Sequence, residues 1–313
     1  MTSILTRRDW LSTVSAGGAA LALSSSVDAK PTKQDPFGYC LNTSTIMGQK
    51  VPVNEEVKIA AKAGYQCIEP WIRELDAFMQ AGGSLKDLGK QIADAGLRVE
   101  SAIGFAEWIV DDDARRAKGL DEAKRSMDIV QQIGGKRLAA PPFGATDRTD
   151  IPLHRIAERY RALLELGDKM AVVPQAEHWG HSKTLTRLSE AAMVAVETGH
   201  PKACILPDVY HLHKGGSDFH GLALLGPATM FNFHMNDYPE VPPREQITDA
   251  HRVYPGDGVA PLKELIRDLV RIGYTGQLSL ELFNREYWKQ DPMLVAKTGL
   301  EKMKAVVHAA LGE

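Results

Sequence analysis

From Phe37 onward, short apolar or β-branched runs alternate with helical stretches about once every 30 to 35 residues, and eight such steps fill the chain. An alternation of this kind folds as a parallel sheet, because two parallel strands need a long return connection that a helix supplies. Strands are expected at Gly38–Leu41, Cys67–Pro70, Arg98–Ile103, Arg137–Ala140, Val172–Glu177, Ala203–Val209, Met230–Met235 and Gln277–Leu282. Lys62-Ala63-Gly64, Asp94-Ala95-Gly96 and Arg271-Ile272-Gly273 each stand just before a strand, where a glycine ends a helix most readily. Eight repeats without a long linker predict an α/β fold of one closed (β/α)8 barrel over residues 37–313. An open, doubly wound sheet is the competing architecture. It would carry a Gly-rich phosphate loop after the first strand, where Asn42-Thr43-Ser44-Thr45 stands instead.

The barrel does not begin at Met1. Thr6-Arg7-Arg8-Asp9-Trp10-Leu11 precedes an Ala/Gly-rich apolar stretch from Val14 to Leu23, and Val27-Asp28-Ala29 then offers small residues for cleavage after Ala29. Residues 1–29 therefore read as a twin-arginine signal peptide and 30–36 as a linker, with export to the periplasm or beyond. The apolar core falls far short of the roughly 20 residues of a spanning helix, so no membrane is expected for the mature form. The chain has 37 Lys and Arg against 40 acidic residues, a formal net charge of −3, and no basic run. That balance argues against a nucleic-acid partner. Cys40, Cys67 and Cys204 have no CxxC or CxxH spacing, which leaves them as small buried thiols rather than a zinc ribbon or disulfide framework.

In a barrel the chemistry belongs at the C-terminal strand ends, and four consecutive ends carry side chains able to bind a metal. Strand five ends in Glu177-His178-Trp179, strand six in Asp208-Val209-Tyr210-His211, strand seven in His234-Met235-Asn236-Asp237 and strand eight in Glu281-Leu282-Phe283. Neighbouring strands lie about 4.8 Å apart, so Glu177, Asp208, His234 and Glu281 can share one centre, with Glu177 and Glu281 on opposite flanks. Three carboxylates and an imidazole suit manganese, magnesium or cobalt, with zinc as a further candidate. The competing account is a buried ionic network that holds no metal. Further candidate substrate contacts are Glu69 at the end of strand two, His213 and Lys214 beside Gly215-Gly216, and Trp71, Trp108 and Trp179 as an apolar wall for a sugar face. Arg252 lies in a segment from Asp237 to Pro261 that is too long for an ordinary barrel loop and reads as a lid or a subunit contact. Long rim loops of that kind fit a homodimer or tetramer.

Phe233-His234-Met235-Asn236-Asp237, Arg252-Val253-Tyr254-Pro255-Gly256-Asp257-Gly258 and Ser279-Leu280-Glu281-Leu282-Phe283 resemble the xylose-isomerase-like TIM-barrel superfamily. The resemblance is closest to its inosose isomerase and dehydratase-like subgroup. It implies that Glu177, Asp208, His234 and Glu281 are metal ligands, that His211 is a substrate-contacting histidine, and that Arg252 binds substrate oxygens. The chain departs from the pattern after strand five, where His178-Trp179 replaces a small or amide-bearing pair, and His178 is counted with the substrate-binding residues. A divalent cation chelated by a carbonyl and its neighbouring hydroxyl acidifies the C–H between them. Glu177 and Glu281 can then act as base and acid, and His211 can orient the carbonyl.

The leading expectation is a metal-dependent isomerase or epimerase of an unphosphorylated keto sugar or cyclitol, working by enediolate proton transfer between two glutamates. A close variant is a lyase or dehydratase eliminating from a 3-keto sugar, a 3-keto-glycoside or an inosose. An exported sugar-binding protein without catalysis is the alternative of another class, and two opposed carboxylates argue against it. A nuclease like endonuclease IV is disfavoured, since strands two and three end in Ile68-Glu69-Pro70 and Ser101-Ala102-Ile103-Gly104 rather than in histidine ligands.

Overall fold

The computed structural model describes residues 35–312; the expected signal peptide and residues 30–34 of the linker lie outside the described residues. All eight strands form: β1 (Gly38–Asn42), β2 (Cys67–Glu69), β3 (Arg98–Val99), β4 (Arg137–Ala140), β5 (Val173–Glu177), β6 (Ile205–Leu206), β7 (Asn232–Met235) and β8 (Gln277–Leu280). The helices are α1 (Val53–Ala63), α2 (Ile72–Gln80), α3 (Leu85–Asp94), α4 (Asp113–Gln132), α5 (Leu153–Met170), α6 (Leu188–Glu197), α7 (Val209–Lys214), α8 (Leu262–Arg271) and α9 (Pro292–Leu311). One parallel ladder runs β3-β2-β1-β8-β7 and another β4-β5-β6. Single bridges join them, Ala102 to Leu138 between β3 and β4, and Ile205 to Met230 and Asp208 to His234 between β6 and β7. The sheet therefore closes, and the open doubly wound alternative is set aside.

Two strands are shorter than expected. Pro207 has no amide hydrogen to donate, so the β6 ladder stops at Leu206 and resumes only as the bridge at Asp208. The β3 ladder stops at Val99, before Glu100 pairs with Arg98 and Arg137 at 3.2 and 3.1 Å, and Ala102 and Ile103 resume it as bridges. The glycine helix stops are as expected: Gly64 has φ 97° and donates its N–H to the Ala60 and Ala61 carbonyls, a left-handed turn that a side chain would strain. All three cysteines are buried and free. Among the described residues no helix is long and apolar enough to cross a membrane.

Alternation along the strands sends two kinds of residue in opposite directions. Tyr39, Leu41, Ile68, Phe233, Met235, Leu278 and Leu280 pack outward under the helices and join the main hydrophobic core. The positions between them bond to one another across the barrel: Asn42 to Glu69, Asn232 to Glu69, Ser279 to Glu69, Gln175 to Ser101 and Cys67 to Gln277. The barrel interior is thus a hydrogen-bonded polar stack, where barrels more often carry branched apolar layers. It forms the base on which the candidate site stands.

The long segment from Asp237 to Pro261 is tied down by one carboxylate. Asp237 accepts hydrogen bonds from the backbone N–H of Tyr238, Gly256, Gly258 and Ala260 at 2.8 to 3.1 Å. Gly258 approaches so closely that a Cβ there would strike the Tyr238 carbonyl and the Asp237 carboxylate. Held in this way, the segment places Asp249 and Arg252 in the wall of the cavity at the barrel mouth.

Candidate metal centre

Asp208, His234 and Glu281 each present one donor atom, and the three atoms lie within 4.8 Å of one another. Asp208 is the N-cap of α7, where its Oδ1 accepts the His211 N–H at 2.7 Å and its Oδ2 accepts from Asn236 at 3.0 Å. Glu281 follows β8; its Oε1 accepts from Asn42 at 3.1 Å, and its Oε2 lies 3.2 Å from His234 Nδ1. Glu177, at the end of β5, stands at the edge of this trio with Oε1 3.7 Å from the same nitrogen. All four side chains are buried.

The decisive atom is His234 Nδ1. Its partner nitrogen Nε2 lies 3.1 Å from Glu69 Oε2, a contact that fixes the ring and leaves Nδ1 aimed at three carboxylates. Nδ1 itself is buried and makes no well-aligned hydrogen bond among the described residues, although Glu281 Oε2 lies 3.2 Å away. Three buried acids around one imidazole need positive charge to stay ionised. Arg252 supplies part of it, donating from Nη1 to Asp208 Oδ2 and Glu281 Oε2, both at 2.8 Å. A divalent cation supplies the rest more directly, and the O,O,N donor set with its oriented imidazole fits one.

The charges pull the four groups apart. Burial pushes Glu177 up, opposed by His234 and reinforced by Glu281 and Asp208. Burial also raises Asp208 despite Arg252. Glu281 falls below the usual carboxylate range because His234 and Arg252 outweigh its burial. His234 is raised, since Glu281 and Glu69 outweigh burial. His211 is held neutral by burial, with Arg252 adding to the effect. The Gly180 N–H faces His211 Nδ1 and the Arg252 Nη2 donor faces Nε2, each at 3.3 Å, so two donors compete for the one acceptor nitrogen of the neutral ring.

Above the cluster opens a cavity of about 360 Å³ lined by Glu177, His211, Arg252 and Glu281 together with Trp71, Phe105, Trp179 and Phe283. Six of the expected site residues, Glu177, Glu281, His211, Arg252, Trp71 and Trp179, line it; Asp208 and His234 lie beneath.

Four other expected contacts are corrected. Glu69 does not reach substrate: it is fully buried one layer down, accepting from Asn42, Asn232 and Ser279 and meeting His234 Nε2. Trp108 is fully buried in the core, its indole N–H donating to the Pro141 carbonyl at 2.8 Å and its ring packed on Tyr160. His178 is fully buried beside His211 with neither ring nitrogen partnered among the described residues, and burial pushes it down to about 4. Lys214 points away from the cavity and ties down the long segment through the carbonyls of Arg244, Glu245 and Ile247 at 2.9 to 3.0 Å. Its neighbour His213 stacks on Tyr238.

Trp108→Ala is accordingly expected to cost about 3–5 kcal/mol of stability, read as a lowered denaturation midpoint. A loss of turnover with unchanged stability would return Trp108 to the substrate wall. The residues that sequence reasoning missed are supports: Asn42 and Asn236, which hold Glu281 and Asp208, and Asp249, which holds Arg252 Nη2 at 2.7 Å. Both amides stand at strand ends beside the ligand positions, which was the available signal.

A family model described as a xylose isomerase-like TIM barrel matches residues 57–306. The chain belongs to that family. This xylose isomerase-like barrel is 26% identical over 274 residues to an inosose isomerase of Bacillus velezensis, covering 86% of this chain and 96% of that relative. It is 26% identical over 239 residues to a 3-dehydroshikimate dehydratase of Pseudomonas aeruginosa, covering 74% of this chain and 36% of that protein. Among solved structures, it matches the IOLI protein crystallised with a binding zinc atom at a TM-score of 0.81 and 21% identity, over 88% of this chain and 99% of that one. The last likeness carries the fold. With relatives named as an isomerase, a dehydratase and an epimerase, the chain is an enzyme of this kind, and the donor set above supports a divalent metal.

Proposed function

We propose that this enzyme is a divalent-metal-dependent isomerase or epimerase of an unphosphorylated keto sugar or cyclitol. The observation that carries the reading is His234 Nδ1, without a well-aligned hydrogen bond among the described residues and facing three acids while Glu69 holds the other side of the ring. Asp208, His234 and Glu281 would hold the ion, with Glu177 at its edge. When bound, the ion polarises a carbonyl and the adjacent hydroxyl and so acidifies the C–H between them.

The protein's own groups do the rest. Glu177 and Glu281 come from β5 and β8 on two flanks of the cavity, so one carboxylate removes the proton and the other returns it. His211 lines the cavity, and its neutral ring orients a substrate oxygen without adding charge to the cluster. Arg252 is held by Asp249, Asp208 and Glu281, which fixes its guanidinium in the wall for a second substrate oxygen. Ring side chains at the mouth limit water around the exchanging proton.

Elimination is the second reading, favoured by the dehydratase relative: loss of a β-oxygen after the same C–H removal gives an unsaturated product. The signal-like segment at residues 1–29 supports export, and with it a substrate that carries no phosphate.

The test is to incubate the metal-loaded enzyme in D₂O with keto sugars, inososes and 3-keto-glycosides and to follow C–H exchange by proton NMR. Exchange with a rearranged sugar supports isomerisation, and exchange with an unsaturated product supports elimination. No exchange with any of the four candidate metals overturns both.

A further inference from the structure

The cavity is divided by chemistry in a way that proton transfer alone does not use. Glu177, His211, Arg252 and Glu281 face it from the side of β5 to β8. Trp71, after β2, and Phe105, after β3, face it from across the barrel mouth. Rings form a row across the mouth, from Phe283 after β8 through Trp71 and Phe105 to Phe143 after β4. Phe283 meets Trp71 edge-on with centroids 5.8 Å apart, Trp71 lies 5.2 Å from Phe105, and Phe105 lies 5.5 Å from Phe143. Trp179 flanks Phe105 at 6.0 Å. Exposure rises along the row from 7% at Trp71 to 39% at Phe143, so it leads from the cavity out to solvent.

The indole N–H groups of Trp71 and Trp288 are already spent. Trp71 Nε1 donates to Asn42 at 2.8 Å, and Trp288 Nε1 donates to the Ser44 carbonyl at 3.0 Å. One face of Trp71 is backed by the Arg73 guanidinium, 4.4 Å from the ring centre. A second sugar could lay only its C–H face on such a row, and its hydroxyls would find no polar partner on the rings. A flat apolar group has no hydrogen bonds to lose and gains offset or edge-to-face ring contacts. A small free ketose held at the carboxylate cluster would leave the outer rings, Phe105 and Phe143, without a partner.

We infer that the substrate is a conjugate, a keto sugar or cyclitol whose oxygens meet the carboxylate cluster and whose second part is an aromatic group resting on the Trp71–Phe105–Phe143 row. The inference rests on the proposed sugar chemistry and adds the class of the attached group. It assigns Phe105 and Phe143 a role in specificity.

Binding of two unreactive probes tests it. Phenyl β-glucoside and methyl β-glucoside are titrated calorimetrically into the metal-loaded full chain. The phenyl compound is expected to bind about 10-fold tighter or better. Phe105→Ala should shrink that preference to about 3-fold or less, and Phe143→Ala, at the exposed end of the row, should shrink it in part. The rim variant keeps the test usable should Phe105→Ala fold poorly. Equal affinity for the two probes, or binding of neither, overturns the inference. The two readings fail separately. Exchange on a free keto sugar without a phenyl preference sinks only the aromatic row, whereas a phenyl preference without exchange on any keto compound sinks only the proton-transfer reading.

Discussion

Glu177→Gln is expected to lower C–H exchange by about 10²–10⁴-fold while the ion stays bound. The reason lies in where the four acceptors stand. Donor atoms of Asp208, His234 and Glu281 fall within 4.8 Å of one another, and Glu177 is outside that trio. Glu177 comes within 3.7 Å of His234 Nδ1, beside 3.2 Å for Glu281 and 3.8 Å for Asp208, so its spacing to the other carboxylates, not to the imidazole, sets it apart. A glutamine keeps the shape of the side chain and removes the group that takes a proton. Glu281→Gln should behave differently, losing ion affinity and exchange together, because Glu281 also receives Arg252 and Asn42. Proton NMR in D₂O gives the exchange rate, and titration calorimetry gives the ion affinity for each variant. Exchange within about 10-fold of the unaltered enzyme would remove Glu177 as a proton carrier.

That contrast could not be drawn from the sequence, although its ingredients could. The strand rhythm located every strand, and the rule that barrel chemistry sits at strand ends located Glu177, Asp208, His234 and Glu281. What the rhythm lacks is depth. Glu69 ends β2 as Glu177 ends β5, but its bonds run to Asn232 and Ser279, inside the stagger of the barrel, so it supports the imidazole instead of meeting substrate. Direction is lacking as well. His178 follows Glu177 by one residue, and alternation turns it away from the mouth into the packing beside His211. Trp108 sits in a loop, where no period sets which way a ring faces, and its indole found the Pro141 carbonyl. Lys214 was read with its glycines as a grip on substrate, yet its ammonium satisfies three carbonyls of a segment more than two dozen residues further on. The supports Asn42 and Asn236 were in view at strand ends, but an amide declares a role only once its partner is known.

Divalent ions are expected to raise the melting temperature of this enzyme, and His234→Ala to abolish the rise. Binding to the folded state alone stabilises by about 2.7 kcal/mol when the ion is at 100 times its dissociation constant, and about 2–4 °C per kcal/mol makes that a shift of several degrees. The size of the shift ranks manganese, magnesium, cobalt and zinc for the site. Glu69→Gln sharpens the argument, because it removes no donor that faces the cluster. The change takes away the carboxylate that Nε2 meets at 3.1 Å and so leaves His234 free to turn or to change tautomer. An outer partner of this kind is worth about 10–100-fold in ion affinity, so Glu69→Gln should need a correspondingly higher ion concentration to reach the same melting temperature. Equal shifts in the unaltered enzyme and in His234→Ala would place the ion elsewhere, and the cluster would then be an ionic network neutralised by Arg252 and a proton on His234. An intermediate response of Glu69→Gln between the two is what an imidazole aimed by its buried partner requires.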